Sequence, residues 1–247
     1  MSDYWDAAFD SNREMCLKHK EYYRFRTVHM NRLLEKLLGA TANLTVLKTD
    51  LWNEAIGHDD ALSFFKTRCS ILLGIDISRE VTRSATKNFR CSTTFQFLQG
   101  DIQQLPFADN SVNVIFSVST LDHLHKQQIV NSLREMRRVL APDGHAIVTV
   151  DNVTYLFLRA LAYRLLSKFK KSETFDNYQP YLLTEFKSLI AEAGLNLKQW
   201  TGISLLPNFT QRIYVTTNKR LIKLASQFER SRVFDLLKYE LVFHLQK

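Results

Sequence analysis

Five short apolar runs, rich in β-branched and aromatic residues, alternate with amphipathic segments between residues 44 and 150. This alternation is typical of βαβ crossovers, in which helices join the parallel strands of one sheet. The chain therefore predicts an α/β fold with a largely parallel sheet. The predicted strands are Leu44–Leu47, Ile71–Ile75, Thr94–Leu98, Val112–Val118 and Ala146–Val150.

The clearest helix between these strands is Lys126–Leu140, because its apolar side chains recur at helical spacing and form one stripe. Pro142-Asp143-Gly144 predicts a turn after it, since proline fixes φ and glycine tolerates positive φ. Residues 3–38 predict one or two further helices. The remaining predicted elements are a basic amphipathic helix at Leu156–Phe169, a helix at Leu183–Ala193, and strands at Leu195–Ile203 and Glu240–Leu245.

No internal repeat, low-complexity segment or long linker divides the 247 residues, so one domain is the simplest partition. We expect a helical N-terminal cap over residues 1–40 and a cofactor-binding core over residues 44–152. A helical insertion or lid is expected at residues 153–182. Residues 183–247 are expected to complete the sheet.

Composition disfavours several classes of protein. The chain has no run of about 18 uncharged apolar residues, so a membrane-spanning helix is not expected. The N-terminus carries acids where a secretory signal has a basic stretch followed by an apolar one. Cys16, Cys69 and Cys91 fit neither a disulfide framework nor a metal site, and we expect each to be a small buried residue. These features predict a cytoplasmic protein without a bound metal.

The chain is basic, with 33 Lys and Arg residues against 25 Asp and Glu, which gives a formal net charge of +8. Such a charge suits nucleic acid, anionic lipid or an acidic small molecule, and equally a protein that stays soluble. Without a nucleic-acid-binding motif or a long basic block, sequence-specific nucleic-acid binding is not expected. One basic set favours peripheral membrane contact or an anionic ligand, although a solvated helix face would look the same. Its members are Arg24, Arg26, Arg159, Arg164, Lys168, Lys170 and Lys171.

Carboxylates follow the second and third predicted strands, at the edge of a parallel sheet where ligands bind. Asp76, in Gly74-Ile75-Asp76-Ile77-Ser78, could accept hydrogen bonds from both hydroxyls of a ribose. The alternative role is a helix N-cap, but Ser78 is the better cap and would leave Asp76 free. After the third strand, Asp101 could accept from the exocyclic amine of a purine while Ile102 packs on its ring. Asp101 could also be a turn residue only.

The fourth predicted strand is followed by Leu121-Asp122-His123-Leu124. His123 stands beside Asp122 just past the strand, where a proton acceptor for a hydroxyl or an amine could lie. A hydrogen-bonded structural histidine in a strand-to-helix turn would look the same. His123 is therefore the candidate catalytic base, with both roles open.

From about Leu44 to Asn152, the chain resembles the class I S-adenosylmethionine-dependent methyltransferases of the small-molecule type. The likeness is most specific across Gly100–Gly144, which holds Gly100-Asp101, Leu105-Pro106-Phe107 and a closing Arg-Val-Leu-x-Pro-x-Gly. It implies a Rossmann-like seven-stranded sheet whose last strand is antiparallel, and S-adenosylmethionine as the cofactor. The residues implied are Asp76 and Ile77 at the cofactor ribose, Asp101 and Ile102 at its adenine, and Ser117 at its methionine end.

The chain departs from this family at the loop after the first strand. The family pattern there is an acid followed by three alternating glycines, which let the backbone approach the cofactor. Residues 48–54 instead read Lys-Thr-Asp-Leu-Trp-Asn-Glu. Every expected glycine is replaced by a residue with a side chain.

Two interpretations of this loop remain open. In the first, Thr49 and Asp50 contact the methionine end, with Asp50 on the ammonium, while Lys48 faces the methionine carboxylate or leaves the pocket. In the second, Trp52 or Glu54 fills the methionine space and the pocket is closed.

The sequence thus predicts an S-adenosylmethionine-dependent methyltransferase with a small-molecule, lipid-like or glycan-like acceptor. A catalytically inactive methyltransferase-like scaffold is the alternative. A nicotinamide oxidoreductase is disfavoured because the first loop has no Gly-x-Gly-x-x-Gly. Four tyrosines favour an acceptor-side lid, although surface packing would explain them equally: Tyr22, Tyr23, Tyr178 and Tyr181. The sequence does not indicate an oligomeric state.

Overall fold

A seven-stranded sheet organises the residues that the computed structural model describes, which are 2–18, 20–57, 62–89, 94–158, 179–204, 227 and 231–247. The strands are β1 (Leu44–Lys48), β2 (Cys69–Asp76), β3 (Phe95–Gln99), β4 (Val112–Val118), β5 (Leu140–Asp151), β6 (Asn196–Ile203) and β7 (Glu240–Gln246). They lie in the order β3-β2-β1-β4-β5-β7-β6. Strands β1 to β5 pair in parallel, and β7 is antiparallel to both of its neighbours. This topology confirms the predicted α/β fold with an antiparallel last strand.

Helices connect the strands and cover the sheet. They are α1 (Ser2–Lys18), α2 (Lys20–Leu38), α3 (Trp52–Ala55), α4 (Leu62–Phe65), α5 (Arg79–Phe89), α6 (Lys126–Val139) and α7 (Leu183–Glu192). Short 3₁₀ turns lie at Leu121–His123 and Arg232–Leu237, and residues 153–158 are also helical. The N-terminal segment thus forms two helices, within the predicted range of one or two.

Neighbouring residues along the central strands point to opposite faces of the sheet, which produces two apolar cores. On one face, α6 and α7 pack against a layer that includes Leu47, Ile115 and Val148. On the other face, α2 and α4 pack against a layer that includes Val46 and Val114. Because both faces are buried, successive residues of these strands are apolar, as expected for a parallel sheet.

The segment between α6 and the fifth strand differs from the prediction. The turn expected at Pro142-Asp143-Gly144 does not interrupt the sheet, because β5 already begins at Leu140, directly after α6. The pairing of β4 with β5 shifts its register between Val112 and Val114, so the turn residues form a bulge within the strand. A Cβ on Gly144 would lie 2.9 Å from the carbonyl oxygen of Ala141, which explains the glycine.

Several predictions concern residues or side chains outside the described part of the chain. The helix predicted at Leu156–Phe169 is described only up to residue 158. The other side chains concerned are those of Cys16, Tyr22, Tyr23, Arg24, Cys91, Arg159, Arg164, Lys168, Lys170, Lys171 and Tyr178. Cys69, at the start of β2, is half-buried.

Gly74 in β2 lets the loop after β1 lie close against the sheet. A Cβ at this position would lie 2.6 Å from Leu51 Cδ2 and 2.5 Å from Phe97 Cδ1, closer than real Cβ contacts. Leu51 belongs to the loop in which the family's glycines are missing. A glycine in the neighbouring strand therefore provides the space for that loop.

We predict that Gly74→Ala lowers the free energy of unfolding by about 1–3 kcal/mol, because the added methyl group overpacks the contact with Leu51 and Phe97. Urea denaturation measures the change. Ser70→Ala, at an exposed position of the same strand, is the control and should change the free energy of unfolding by less than about 0.5 kcal/mol. Equal stabilities for the two variants would show that the side chains of Leu51 and Phe97 move aside without cost.

Candidate active site

The carboxyl ends of β1, β2, β3 and β4 meet at one edge of the sheet, because the four strands are parallel. Ligands of open α/β sheets bind at this edge. The residues predicted for the site all lie there, in the last residues of the strands or in the segments that follow them: Thr49, Asp50, Asp76, Ile77, Asp101, Ile102, Ser117 and His123. The topology therefore gathers the predicted residues at one end of the fold.

The side chain of Lys48 is buried beneath the first loop. Its Nζ donates hydrogen bonds to Asp50 Oδ1 at 3.0 Å, to Glu54 Oε2 at 2.9 Å and to the backbone carbonyl of Asp50. An ammonium has three hydrogens to donate, so these bonds satisfy it completely. The ammonium of Lys48 is therefore engaged by the protein itself, and its predicted position relative to the methionine carboxylate stays a prediction.

This buried ion cluster shifts the protonation of its members. Burial alone would lower the pKa of Lys48, but the carboxylates of Asp50 and Glu54 outweigh burial and raise it. Burial raises the pKa of Glu54 to about 7, against the opposing effect of Lys48. The raised pKa of Lys48 indicates that its charged form is stabilised, whereas the raised pKa of Glu54 indicates that its ionised form is destabilised. We assign a stable positive charge to Lys48, because two carboxylates face it, and a readily protonated carboxyl to Glu54.

Four buried polar atoms in or beside the first loop have no hydrogen-bond partner: Thr49 Oγ1, Asp50 Oδ2, Glu54 Oε1 and Ser117 Oγ. The backbone N–H of Thr49 donates to the carbonyl of Phe116 at 3.1 Å, so Thr49 and Ser117 lie on adjacent strand ends. A buried polar atom without a partner costs about 1–3 kcal/mol. Of these atoms, Asp50 Oδ2 and the hydroxyls of Thr49 and Ser117 would complement the ammonium and the carboxylate of an amino-acid ligand.

Asp76 connects the first loop to the start of α5. Its Oδ2 accepts from the N–H of Leu51 at 2.9 Å, and its Oδ1 accepts from the N–H of Ser78 at 2.8 Å. Ser78 caps α5 as predicted, since its Oγ accepts from the N–H of Val81 at 3.0 Å. The expectation that Asp76 stays free was wrong, because both of its oxygens hold backbone amides.

Asp76 can nevertheless accept further hydrogen bonds, since each carboxylate oxygen has two lone pairs. Burial raises the pKa of Asp76 to about 6, and the amides of Leu51 and Ser78 oppose that rise. The carboxyl is therefore mostly ionised at pH 7 and above. A ribose that donates two hydroxyl hydrogens fits this group.

After β3, Asp101 Oδ1 accepts from the N–H of Gln103 at 2.8 Å, which is the turn role left open by the sequence. Its side chain is half-buried, so the second oxygen can still meet a ligand. Ile102 is buried and belongs to the apolar core under the loop. That Asp101 and Ile102 hold the purine stays a prediction.

The closing motif of the resemblance fixes this third loop. Arg138 of α6 donates to the carbonyls of Leu105 and Phe107, both at 2.8 Å, while it also pairs with Glu135. Glu135 in turn accepts from the N–H of Leu105 at 2.9 Å. An arginine and a glutamate one helical turn apart thus hold the backbone of the segment that follows Asp101.

Helix α1 crosses the edge of the sheet that carries these residues. The ring of Trp5 packs edge-to-face against His123 at 4.8 Å and against Trp52 at 6.4 Å between centroids. Asp6 accepts hydrogen bonds from the hydroxyl of Ser78 and from the backbone at the start of α5. The helix therefore contacts the segments after β1, β2 and β4, and a ligand held by those segments would lie against it.

The environment of His123 makes it a neutral ring. Burial lowers its pKa to about 4, and Asp50 opposes the shift only in part. At pH 7 the imidazole is uncharged and has a nitrogen that can accept a proton. A base with so low a pKa accepts that proton weakly, because general-base efficiency falls with the pKa of the base.

Two residues predicted at the acceptor side have structural roles. Arg26 of α2 donates from Nε and Nη2 to the two carboxylate oxygens of Glu240, both at 2.7 Å, in a buried pair. Its place in a basic surface was therefore predicted wrongly. Tyr181 is buried, donates its hydroxyl hydrogen to the carbonyl of Leu124 at 3.1 Å, and packs on Phe186. Its proposed lid position is likewise wrong, because the ring belongs to the core.

The sequence analysis missed Asp122 as a functional candidate. Its side chain is buried, and neither carboxylate oxygen has a hydrogen-bond partner. Burial, reinforced by the nearby carboxylates of Asp151 and Glu240, raises the pKa of Asp122 well above its usual range. The available signal was its position: Asp122 follows β4, and Asp151 ends the neighbouring strand.

Within the described ranges, no group of three or more His, Cys, Asp or Glu side chains is placed to hold a metal ion. None of the described helices combines the length and the hydropathy needed to cross a membrane.

Comparison with known proteins shows what the middle of the chain is similar to. Residues 52–148 match the family model described as a methyltransferase domain. Methyltransferase GfsG of Streptomyces halstedii is 28% identical over 141 residues, which cover 53% of this chain and 46% of that protein. Demethylmenaquinone methyltransferase of Staphylococcus carnosus (strain TM300) is 26% identical over 149 residues, covering 53% and 61%. The chain spans about half the length of the curated relatives it matches.

The fold has close structural counterparts. A chain from the complex between the Haloferax volcanii Trm112 methyltransferase activator and a methyltransferase superposes with a TM-score of 0.63 at 18% identity. The match covers 99% of this chain and 96% of that one, and it shows a shared fold. The match to the methyltransferase-domain model and the strand order agree with the resemblance seen in the sequence. The chain is thus similar to a methyltransferase domain over residues 52–148 and shares the fold of a solved methyltransferase chain, and the resemblance implies S-adenosylmethionine as the cofactor.

Proposed function

We propose that the protein is a methyltransferase that transfers the methyl group of S-adenosylmethionine to a small-molecule acceptor. The observation that carries the proposal is the set of three buried, partnerless polar atoms on Thr49, Asp50 and Ser117. They lie at the ends of β1 and β4, where the resemblance implies the methionine end of the cofactor. The groups present therefore fit the cofactor, because they complement its ammonium and carboxylate.

In this proposal, Asp50 takes over the role of the family's acid. Lys48 binds one oxygen of Asp50, while Oδ2 has no hydrogen-bond partner and can accept from the methionine ammonium. The hydroxyls of Thr49 and Ser117 donate to the methionine carboxylate. Lys48 contributes indirectly, because its bonds to the side chain and the backbone of Asp50 fix where Oδ2 points.

The remaining contacts follow the order of the strands. Asp76 accepts from the ribose hydroxyls and Ile77 packs beside it, while Asp101 and Ile102 hold the adenine. The order of the strand ends supports these assignments, as does the acceptor capacity of both carboxylates. A small-molecule acceptor, which the similarity to demethylmenaquinone methyltransferase favours, and a cytoplasmic location belong to the same proposal.

S-adenosylmethionine supplies an electrophilic methyl group on a sulfonium, and the acceptor atom displaces the sulfur in line. The protein's task is then mainly to align two bound partners, which can supply a large part of the acceleration without a dedicated base. His123 lies beside this edge of the sheet and is the candidate base when the acceptor must lose a proton. Its neutral form at pH 7 is compatible with that role.

A methyltransferase-like scaffold without activity is the second candidate. The observation that favours it is the buried Lys48, which places a positive charge where the family has an acid near a cationic ligand. Because the Lys48 charge is matched by Asp50 and Glu54, repulsion of the ligand is reduced, and we favour the enzyme.

Calorimetry with two nucleosides tests the proposal. S-adenosylhomocysteine carries the amino-acid end, whereas 5′-methylthioadenosine has the same ribose and adenine without it. We expect both to bind and S-adenosylhomocysteine to bind more tightly. If neither nucleoside binds, the result would contradict the proposed methyltransferase activity and support the inactive scaffold.

The first prediction concerns Asp50. Asp50→Asn should weaken S-adenosylhomocysteine binding about tenfold, because a charge-assisted hydrogen bond to the ammonium is lost. The affinity for 5′-methylthioadenosine should change by less than about twofold, since that ligand has no ammonium. Calorimetry of the variant beside Asp143→Asn, an exposed control, measures both. An equal loss of affinity for the two nucleosides would show that Asp50 acts through the loop rather than on the amino-acid end.

The second prediction concerns Asp76. Asp76→Asn should weaken the binding of both nucleosides at least tenfold, because hydrogen bonds to a charged group contribute about 1.5–3 kcal/mol each. In the native protein, affinity should fall as the pH drops through about 6, where the Asp76 carboxylate takes up a proton. The variant should lose that part of the pH dependence. Superimposable pH profiles would remove Asp76 from the ribose site.

The third prediction concerns His123. If His123 is the base, His123→Gln should slow methyl transfer about 10²–10⁴-fold and leave the affinity for S-adenosylhomocysteine almost unchanged. Formation of S-adenosylhomocysteine measures the rate, and calorimetry measures the affinity. An unfolded variant would instead indicate a structural histidine, and an undiminished rate would show that alignment suffices.

A further inference from the structure

Large apolar side chains on the surface are gathered in one region of the described chain. Eight of the described residues are large, apolar and exposed, and six of these lie on three short segments that meet at Asn152. Soluble monomers usually expose such side chains singly, so a group of them marks an interaction surface. We name this group the apolar edge, and its members are Phe157, Leu158, Leu182, Val233, Leu236 and Leu237.

Asn152, the residue after β5, joins the three segments. Its side-chain amide donates to the backbone carbonyls of Leu236 and Lys238 in and after the 3₁₀ turn, both at 2.9 Å. It also forms a parallel bridge with Tyr181, the residue before Leu182. Asn152 itself leads directly into the helical segment that carries the remaining two members. The three segments therefore lie side by side, although they are distant in the sequence.

Buried polar contacts hold the 3₁₀ turn in place beneath its exposed side chains. The carboxylate of Asp235 accepts from Lys238 Nζ at 2.6 Å and from the Thr201 hydroxyl at 3.0 Å. Gly202 of β6 lets the turn approach the sheet, since a Cβ there would lie 2.9 Å from Lys238 Cβ. The same turn leaves Val233 84% exposed. A firmly fastened turn thus presents this valine to the surroundings.

The apolar edge lies at the same end of the sheet as the candidate active site. β5 ends at Asp151, and β7 begins directly opposite it at Glu240. Just before the second segment, the N–H of Gln179 donates to the carbonyl of Asp122 in the turn after β4, at 2.7 Å. A partner bound to the apolar edge would therefore lie beside the segments that carry the predicted site.

The sequence concentrates its positive charge in the two segments that adjoin the apolar edge. Residues 159–178 follow Leu158 directly, and residues 205–230 come just before Ser231. Together they contain ten Lys and Arg against three Asp and Glu, so they supply seven of the eight net positive charges. Arg232, within the turn itself, is exposed. Exposed apolar side chains beside strongly basic sequence are typical of proteins that bind anionic lipid surfaces.

We propose that the apolar edge docks the protein onto the surface of a bilayer that contains anionic lipid. Phe157 and Val233, its two most exposed members, enter the boundary between headgroups and acyl chains, and the adjoining positive charge attracts the headgroups. A nucleic acid would use the charge but not the apolar side chains. The inference goes beyond the proposed function, because docking on a membrane requires no S-adenosylmethionine.

Co-sedimentation of the full chain with vesicles tests this inference without any nucleoside present. One set of vesicles contains phosphatidylcholine alone, and the other contains phosphatidylglycerol as about one lipid in three. We expect the chain to bind the anionic vesicles at least about tenfold more strongly than the neutral ones. Raising the salt concentration to about 0.5 M should weaken this binding, since salt screens the charges.

Variants of the apolar edge separate docking from simple charge attraction. Phe157→Ser combined with Val233→Ser should lower the vesicle partition coefficient at least about tenfold, because apolar contact is lost while the net charge stays the same. Ile71→Ser, an exposed apolar position toward the amino end of β2, is the matched control and should stay within about twofold of the native chain. Val233→Ser alone is the second variant, so that a loss can still be measured if the double variant does not fold.

Three outcomes would overturn the inference. The first is absence of binding to the anionic vesicles. The second is equal binding by the native chain and the Val233 variants, since charge alone would then explain it. The third is a dimer in light scattering that the Val233 variants lose without any vesicle binding, which would assign the surface to a second copy. Asp50→Asn should bind vesicles like the native chain, so that a failure of the proposed function remains distinguishable from a failure of docking.

Discussion

The buried ammonium of Lys48 is the interaction on which the rest of the site depends. It holds both the backbone and the side chain of Asp50, and it is anchored from beneath by Glu54. In the family, glycines let this loop approach the cofactor. Here the ion cluster determines the path of the loop, and Gly74 in the adjacent strand provides the space. Removing one member of such a buried cluster leaves an uncompensated charge, which typically costs about 3–5 kcal/mol.

The path of the first loop then positions the neighbouring groups. Because Leu51 follows Asp50, its N–H reaches Asp76 and ties the loop to the second strand. The same path brings Trp52 against Trp5 of α1, and Trp5 also packs on His123 after β4. One aromatic side chain of α1 thus connects the first loop to the turn after β4.

The fold was predictable because it depends on repeated patterns. Consecutive apolar residues such as Val46 and Leu47 serve two buried faces, and that pattern marks a parallel strand wherever it occurs. The edge of the sheet could be predicted for the same reason, since parallel strands place Asp76 and Asp101 together. Contacts between distant segments could not be predicted in this way. The burial of Arg26 against Glu240, or of Trp5 against His123, depends on how helices dock, and no local pattern records it. The apolar edge was overlooked for the same reason, since its three segments meet at Asn152 only in the folded chain.

A crystal structure of the chain with S-adenosylhomocysteine would show which groups hold each end of the ligand. We expect ribose hydroxyls on Asp76 and the ligand ammonium within hydrogen-bonding distance of Asp50 Oδ2, with Lys48 still bound to Asp50 and Glu54. The side chain of Trp52 should stay against α1. S-adenosylhomocysteine bound elsewhere, or Trp52 or Glu54 in the methionine space, would contradict the roles assigned to Asp50 and Asp76 and favour a closed scaffold.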